Sequence, residues 1–228
     1  MSDVDESVRP PSPDGAAWPR ASPLVLAVKG LRQTLWRWVY APLVRRRAGV
    51  QALGALHVRG MPHIDLAPGA RVVLGHGVML NSSNAGYHLN MFAPVKLLAD
   101  LPGAEIVVGD GTRLHGTCVH AYERVEIGRN CLIAANTQIM DGSGHDLAFD
   151  DPSRRGSTRG PVRPVRIGDN VWIGAQVIVL PGSVIGEGSV VGAGSVVSGT
   201  VPPRVLAAGN PIRVLRDYLG APETGNAL

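Results

Sequence analysis

The residue best suited to chemistry is His145, in the segment MDGSGHDLAFD. An imidazole changes protonation state near neutral pH, so a histidine can take a proton from a hydroxyl group as a general base. Asp141 or Asp146 could orient its ring, and both alternatives stay open here. The competing interpretation is a surface-loop histidine without a chemical role. We take His145 as the candidate catalytic residue.

The position of His145 within a sequence repeat supports this choice. Ile139 lies six residues before it, and the next residue in the same register is Ile167, 22 positions after it. The register therefore breaks at the histidine. We expect the chain to leave the repeat there as a loop over residues 146–164.

The repeat has a period of six residues. After the break, branched aliphatic residues recur at every sixth position, namely Ile167, Ile173, Val179, Ile185, Val191 and Val197. Earlier sets follow the same frame with slips, namely Ile127, Ile133 and Ile139, then Val108 and Leu114, then Leu66, Val72 and Val78. From Val108 onward, a small residue or valine follows each of these positions four residues later. This pattern is typical of a short strand plus a turn, and three such units would close one triangular coil.

We therefore predict an all-β solenoid over residues 66–201, whose coils stack strand on strand and bury their inward faces against each other. Two segments interrupt the repeat, at residues 81–94 and 146–164. Residues 202–228 follow as a short C-terminal tail. The polar residues of the first interruption become candidates for contact with a substrate.

The chain before the repeat divides in two. Residues 1–22 are rich in Pro, Ser and Asp without any period, which predicts disorder. Residues 23–65 are predicted to form an amphipathic helix, over residues 24–40, and a connector. An apolar stripe runs along this helix at Leu24, Val28, Leu31, Leu35 and Trp38. We expect the stripe to pack on the solenoid or on a neighbouring subunit.

A second interpretation of the N-terminal helix is contact with a membrane. No acidic residue occurs between Gly15 and Ile64, whereas basic residues are frequent there and include the run Arg45, Arg46 and Arg47. Basic and aromatic residues on one amphipathic helix are typical of peripheral contact with an anionic membrane surface. Residues 24–47 could make such a contact.

Composition sets further limits. The 228 residues are 45% hydrophobic but only 4% aromatic, which suits short strands and tight turns. The two cysteines, Cys118 and Cys131, fall on the small inward position of the repeat, so we expect buried spacers rather than a disulfide or a metal site. No signal peptide or membrane-spanning run is apparent. We expect a cytoplasmic protein, with the inner membrane face as a variant, and no nucleic-acid partner.

Two segments resemble a known family. They are IGDNVWIGAQVIVLPGSVIGEGSVVGAGSVV, over residues 167–197, and VLAAGNPIRVLR, over residues 205–216. They closely resemble the hexapeptide-repeat acyltransferases, and most of all the maltose and galactoside type of sugar O-acetyltransferase. The resemblance implies a left-handed parallel β-helix and a homotrimer with active sites between subunits. It also implies acetyl-CoA, or another acyl-CoA, as cosubstrate and no metal.

The resemblance also implies roles for individual residues. His145 would deprotonate the acceptor hydroxyl, and Trp172 would line the cleft for pantetheine and acceptor. The backbone N–H of Ala175 would face the thioester carbonyl and Ala193 would bond the pantetheine arm. Ser198 and Arg213 would lie along the coenzyme. Acceptor contacts are expected from Tyr87, His88, His115, His120 and Asp141, although relatives often carry Asn and Asp where this chain has His115 and His120.

Three alternatives compete with a sugar O-acyltransferase. A γ-class carbonic anhydrase shares the fold and binds zinc through histidines, and His115 and His120 have the spacing of two such ligands, with His76 as a third. Against it, His120 takes an in-register aliphatic position. An N-acyltransferase acting on an amine, or a solenoid that serves only as a scaffold, are the other two. We expect a small molecule or a glycan as acceptor.

Overall fold

The structure is a computed structural model that describes residues 34–218, together with Val28 and Leu31. Its strands form three parallel sheets, and successive strands of the chain enter the three sheets in turn. Sheet A contains β1 (Val50–Ala52), β4 (Arg71–Leu74), β7 (Glu105–Val108), β10 (Arg124–Ile127), β13 (Val165–Ile167), β16 (Val184–Ile185) and β19 (Thr200–Val201).

The other two sheets complete each turn of the chain. Sheet B contains β2 (Leu56–Arg59), β5 (Val78–Asn81), β8 (Arg113–His115), β11 (Leu132–Ile133), β14 (Trp172–Ile173), β17 (Val190–Val191), β20 (Val205–Ala208) and β21 (Arg213–Asp217). Sheet C contains β3 (His63–Leu66), β6 (Lys96–Ala99), β9 (Cys118–Ala121), β12 (Gln138–Met140), β15 (Ile178–Val179) and β18 (Val196–Val197). The chain is a left-handed parallel β-helix, as predicted.

The core is a set of stacked aliphatic columns. Ile133 pairs with Ile173, which pairs with Val191 on the next coil, and all three side chains are buried. The small inward positions are equally buried and bond backbone carbonyls, as Ser183 does to Val197 O at 3.1 Å and Ser189 does to Pro202 O at 2.6 Å. Each inward hydroxyl group is therefore satisfied inside an otherwise apolar core.

The turns explain two features of the repeat. Residues Asn136, Gln176 and Gly194 occupy one corner on successive coils and all have positive φ, between 59° and 70°. Asn and Gly adopt this left-handed conformation more readily than other residues. The glycine that follows an inward aliphatic has a different reason, because a Cβ on Gly174 would lie 2.5 Å from the backbone N of Ala193. The coils pack too closely there for a side chain.

The solenoid is longer than the predicted range of residues 66–201. It begins at β1, within the predicted connector, and β20 adds a strand within the predicted tail, where β21 returns antiparallel to it. The six-residue period did not predict the first coil, because two of its three strands have four residues and do not fit that period. The two inward side chains of β5, Val78 and Leu80, show how such strands obscure a single six-residue period.

The register near His120 also differs from the prediction. Val119 fills the inward position and follows Leu114 after five residues, so His120 points outward from sheet C. The same shift leaves Cys118 half-buried, whereas Cys131 is buried as expected. Thr117, which is fully buried, takes the inward position predicted for Cys118.

Two helical turns precede the first coil. A π-helical turn (Trp36–Tyr40) continues into an α-helix (Ala41–Arg45). These turns contact β1 and β2, and Ala41 and Val44 belong to the buried core. A 3-10 helix (Pro152–Gly156) lies in the loop before β13. The N-terminal turns thereby cover the open end of the solenoid.

The predicted apolar stripe is not what packs on the solenoid. Leu31 is 74% exposed and Trp38 is 69% exposed, and Val28 and Leu35 are exposed too. Ala41 and Val44, which follow the stripe, supply the buried contact instead. Leu24 and the predicted disordered segment lie outside the described residues, as do residues 219–228. Among the residues that the structure describes, no helix is long and apolar enough to cross a membrane.

Candidate active site

His145 lies at the base of the loop that joins β12 to β13, at the corner between sheets C and A. The base is closed by backbone hydrogen bonds, from Arg163 N–H to Asp141 O at 2.7 Å and from Asp146 N–H to Thr158 O at 3.3 Å. These bonds fix where the loop leaves the solenoid, in agreement with the predicted break in the repeat.

The ring of His145 is oriented by a backbone carbonyl. Its Nδ1 atom lies 2.7 Å from the carbonyl oxygen of Arg155, and His145 is exposed. A carbonyl oxygen only accepts hydrogen bonds, so Nδ1 carries the proton of a neutral ring and Nε2 keeps its lone pair. That is the tautomer a general base needs.

Neither predicted carboxylate orients this ring. Asp141 is fully buried, and its two oxygens accept backbone N–H bonds from Tyr122, Glu123 and Arg124 at 2.7 to 2.8 Å. Asp146 accepts from the N–H of Leu147. Asp141 therefore anchors the corner between β9 and β10, and its complete burial contradicts the expected contact with an acceptor.

A polar cluster lies beneath the loop. His120 packs against Tyr122 with ring centres 4.3 Å apart, and the guanidinium of Arg159, from the loop, lies 5.0 Å above the Tyr122 ring. The Nε2 atom of His120 is 3.6 Å from Asp100 Oδ2, beyond hydrogen-bond distance. Burial lowers the pKa of His120, and the nearby Asp100 opposes this effect. The cluster supports the loop that carries His145.

A groove of about 950 Å³ runs along the outer face of sheet B. Its floor is apolar, with Leu132 stacked on Trp172 and Trp172 stacked on Val190 across consecutive coils. The groove brings together six of the predicted site residues, namely Tyr87, His88, His115, Trp172, Ala175 and Ala193. Ser198 lies instead beyond β18 at the corner between sheets C and A, and Arg213 lies in β21. Neither of these two lines the groove.

Three alanines repeat at one corner of the solenoid, and two of them, Ala175 and Ala193, line the groove. Ala135, Ala175 and Ala193 occupy the same turn position on consecutive coils. The N–H of Ala135 donates to the Tyr87 hydroxyl, whose pKa is raised by burial despite this bond. Within the described part of the chain, the N–H groups of Ala175 and Ala193 have no acceptor. They are free to bind a polar group of a ligand.

At the N-terminal end of the groove, His115 is held in one tautomer. The Asn81 side-chain amide lies 3.1 Å from His115 Nδ1, and Asn81 Oδ1 accepts the N–H of Ser83. The Asn81 amide nitrogen can only donate, so Nδ1 accepts and the ring proton sits on Nε2. Tyr87 stacks on the other side of His115 at 4.5 Å. Burial, aided by Arg113 and Arg59, lowers the pKa of His115 to about 4.

The two groups of residues lie on opposite sides of the chain. The His145 loop leaves from the corner between sheets C and A, which in a three-sided prism faces away from sheet B. One chain therefore does not bring His145 to the groove. Sequence reasoning missed Asn81, Leu132 and the Arg155 carbonyl. Only Leu132 carried a signal, because it stands one residue before the inward Ile133, as Trp172 stands before Ile173.

The histidines considered as zinc ligands are dispersed. His76 lies at the corner between sheets A and B, His115 on sheet B and His120 on sheet C. Among the described residues, no group of three or more His, Cys, Asp or Glu side chains is arranged to hold a metal ion.

Comparison with known proteins adds independent findings. The family described as bacterial transferase hexapeptide (six repeats) matches residues 164–199. An Escherichia coli protein named as a lipopolysaccharide biosynthesis O-acetyl transferase is 32% identical over 145 residues, covering 60% of this chain and 74% of that protein. The galactoside O-acetyltransferase of Escherichia coli is 44% identical over 93 residues, covering 41% of this chain and 44% of that enzyme.

Solved structures agree on the fold. A hexapeptide-repeat-containing acetyltransferase from Vibrio cholerae is 26% identical, with a TM-score of 0.51. The superposition covers 86% of this chain and 94% of the Vibrio cholerae chain. The sequence matches are less extensive than the structural ones. The chain spans only 42% to 57% of the length of several curated relatives.

The lowered pKa of His115 predicts how stability depends on pH. The unfolded chain binds a proton near pH 6.5, whereas the folded chain resists protonation until about pH 4, so stability falls as pH falls through this window. Between pH 7 and pH 5, we expect the free energy of unfolding to fall in both chains. The fall should be about 1–2 kcal/mol smaller in His115→Asn than in the unmodified chain. Urea unfolding at both pH values measures this.

The control for this experiment is His63→Asn, at an exposed histidine of β3. It is expected to keep the pH dependence of the unmodified chain. An equal loss of stability in the chains with and without His115 would contradict the assignment.

Proposed function

Because the chain belongs to the hexapeptide-repeat acetyltransferases, we propose that it transfers an acetyl group from acetyl-CoA to a hydroxyl group of a sugar or glycan. The observation that carries the proposal is His145, whose Nδ1 is held by the Arg155 carbonyl, so that Nε2 has a lone pair with which to accept a proton. Relatives named for galactoside and lipopolysaccharide O-acetyl transfer support a sugar hydroxyl as acceptor.

The residues can divide the reaction between them. His145 Nε2 takes the proton of the acceptor hydroxyl group while the hydroxyl oxygen attacks the thioester carbonyl carbon. The free N–H of Ala175 donates to the carbonyl oxygen as negative charge develops there. When the carbon–sulfur bond breaks, the His145 imidazolium returns the proton to the departing CoA sulfur. The products are an acetyl ester and CoA, and His145 is neutral again.

The groove on sheet B suits the pantetheine arm of CoA. Its floor of Leu132, Trp172 and Val190 is apolar, and the N–H of Ala193 offers a donor one coil beyond Ala175. Pantetheine needs such a surface, because it carries amide groups along an apolar chain. The equivalent N–H of Ala135 is already bonded to the Tyr87 hydroxyl, so it is not available to the pantetheine arm.

The proposed assembly is a homotrimer with each active site between two subunits. A single chain holds His145 and the groove on opposite sides, so the base of one subunit must reach the groove of the next. Cyclic symmetry provides this arrangement, since every subunit then offers one corner and accepts another.

We expect His145→Ala to lower the rate of acetyl transfer about 10²–10⁴-fold, because the acceptor hydroxyl loses its base. Release of CoA thiol from acetyl-CoA, with a panel of sugar acceptors, measures the rate. His63→Ala, at an exposed histidine, is the matched control and is expected to leave the rate unchanged. An unchanged rate in His145→Ala would remove this residue from its role.

Mixing two inactive variants tests the shared site. His145→Ala removes the base, and Ala175→Trp fills the groove. In randomly mixed trimers, sites that combine an intact His145 with an intact groove make up about a quarter of all sites, so about a quarter of the activity should return. Native mass spectrometry verifies the mixed trimers. No recovery in such trimers would show that one subunit holds the complete site.

The N-terminal turns suggest a second partner, and we propose that they contact an anionic membrane surface. Leu31, Leu35 and Leu43 are exposed, and Arg46 and Arg47 follow them, exposed as well. Exposed apolar residues beside arginines are suited to the interface between acyl chains and anionic headgroups.

Sedimentation with lipid vesicles tests this contact. We expect binding to phosphatidylglycerol vesicles and little binding to phosphatidylcholine vesicles. The double variant Arg46→Gln/Arg47→Gln should bind about tenfold or more weakly, because each arginine contributes about 1 kcal/mol at such a surface. Arg166→Gln/Arg204→Gln, on the solenoid, is the control. Equal binding to both lipids would contradict the proposal.

A further inference from the structure

The end of the groove that lies away from Ala193 is a patch of hydrogen-bond donors. Arg59 ends β2 and Arg113 begins β8, and both line the groove beside His115. Through β5 between them, Arg59 and His115 pair with the same residue, Asn81, on consecutive coils. Two arginines and one histidine therefore line the groove on the first and third of three neighbouring coils.

The hydrogen bonds already made in this patch leave only donors exposed. Asn81 is buried and uses its amide on His115 Nδ1 and its carbonyl oxygen on Ser83 N–H. His115 therefore presents Nε2–H, and each guanidinium carries only N–H groups. No oxygen acceptor of these side chains is left to face the groove.

The charges in the groove are all of one sign. None of the described residues that line it is an aspartate or a glutamate, whereas Arg59 and Arg113 are both there. Within residues 34–218, no carboxylate forms an ion pair with Arg113, although other arginines of the solenoid, such as Arg71 and Arg129, are paired in this way. A neutral hexose offers hydroxyl groups that need acceptors as well as donors, so it would leave Arg113 without a counter-charge.

The distance along the solenoid fits an acceptor rather than the coenzyme. Arg113 lies on the third coil and Ala175 on the fifth, so the two are about 10 Å apart along the axis at the usual strand spacing. The free N–H of Ala193 lies on the opposite side of Ala175. Arg113 is thus separated from the reacting carbonyl by a distance that a disaccharide spans.

We infer that the acceptor carries a carboxylate or a phosphate group, which Arg113 and His115 Nε2–H bind at this end of the groove, next to Arg59. The inference rests on the proposed acetyl transfer for the meaning of the bound sugar, but the anion site can be tested without it. Guanidinium groups bind both anions through paired N–H donors, and this chemistry is common to acidic sugars and sugar phosphates.

Direct binding, measured by calorimetry without any acyl donor, tests the site. The probes are methyl β-D-glucuronide and methyl β-D-glucoside, which differ only in a carboxylate at C6, and the 6-phosphate of the glucoside. We expect at least one anionic probe to bind about tenfold or more tightly than the neutral glucoside, and the stronger of the two identifies the group. Equal affinity for all three probes would overturn the inference.

The variants connect this preference to the arginines. Arg113→Gln should abolish the preference and Arg113→Lys should restore part of it, whereas Arg166→Gln, on sheet A, should retain it. If Arg113→Gln and Arg113→Lys both lose the trimer in sedimentation, the arginine belongs to a subunit contact and the inference fails.

Kinetics separate the inference from the proposed function. With an anionic acceptor, Arg113→Gln should raise KM for that acceptor about tenfold and leave KM for acetyl-CoA unchanged. A rise in KM for acetyl-CoA instead would assign the arginines to the coenzyme phosphates and overturn the inference. Anion-selective binding without acetyl transfer to any probe would refute the proposed function and leave the anion site supported.

Discussion

The fold depends on one constraint, that a coil can bury its inward side chains only against the coils above and below it. Ile133, Ile173 and Val191 form one continuous column for this reason. A parallel ladder fixes the register, because a shift by one residue would turn every inward side chain outward. Corners therefore superpose as strictly as strands do, and the turns repeat one backbone geometry from coil to coil.

The candidate site is a product of that repetition and of two departures from it. Equal turns present equal N–H groups, so Ala175 and Ala193 are donors without any dedicated loop. The first departure is the segment that brings Tyr87 over His115. The second is the loop that carries His145 at a different corner. A rigid prism cannot fold one corner onto the opposite face, and so the proposed reaction requires two subunits to associate.

Much of this could be predicted from the sequence. The register from Ile167 to Val197, the break at His145 and the left-handed β-helix implied by the resemblance all agree with the structure. The prediction was wrong where the period changes, since a four-residue strand has two inward side chains and the five-residue step before Val119 turns His120 outward. The structural role of Asp141 could not be predicted either. It accepts three hydrogen bonds from backbone N–H groups, and the sequence of side chains does not indicate such bonds.

The row of alanine N–H groups has a consequence for how such a groove can change during evolution. Its closed end, where Tyr87 occupies the N–H of Ala135, and its open donor at Ala175 belong to adjacent coils. Duplicating one whole coil between them would lengthen the cleft by about 4.8 Å without altering any contact within either coil. The length of such a groove can therefore change in steps of one coil, while the contacts within each coil stay the same.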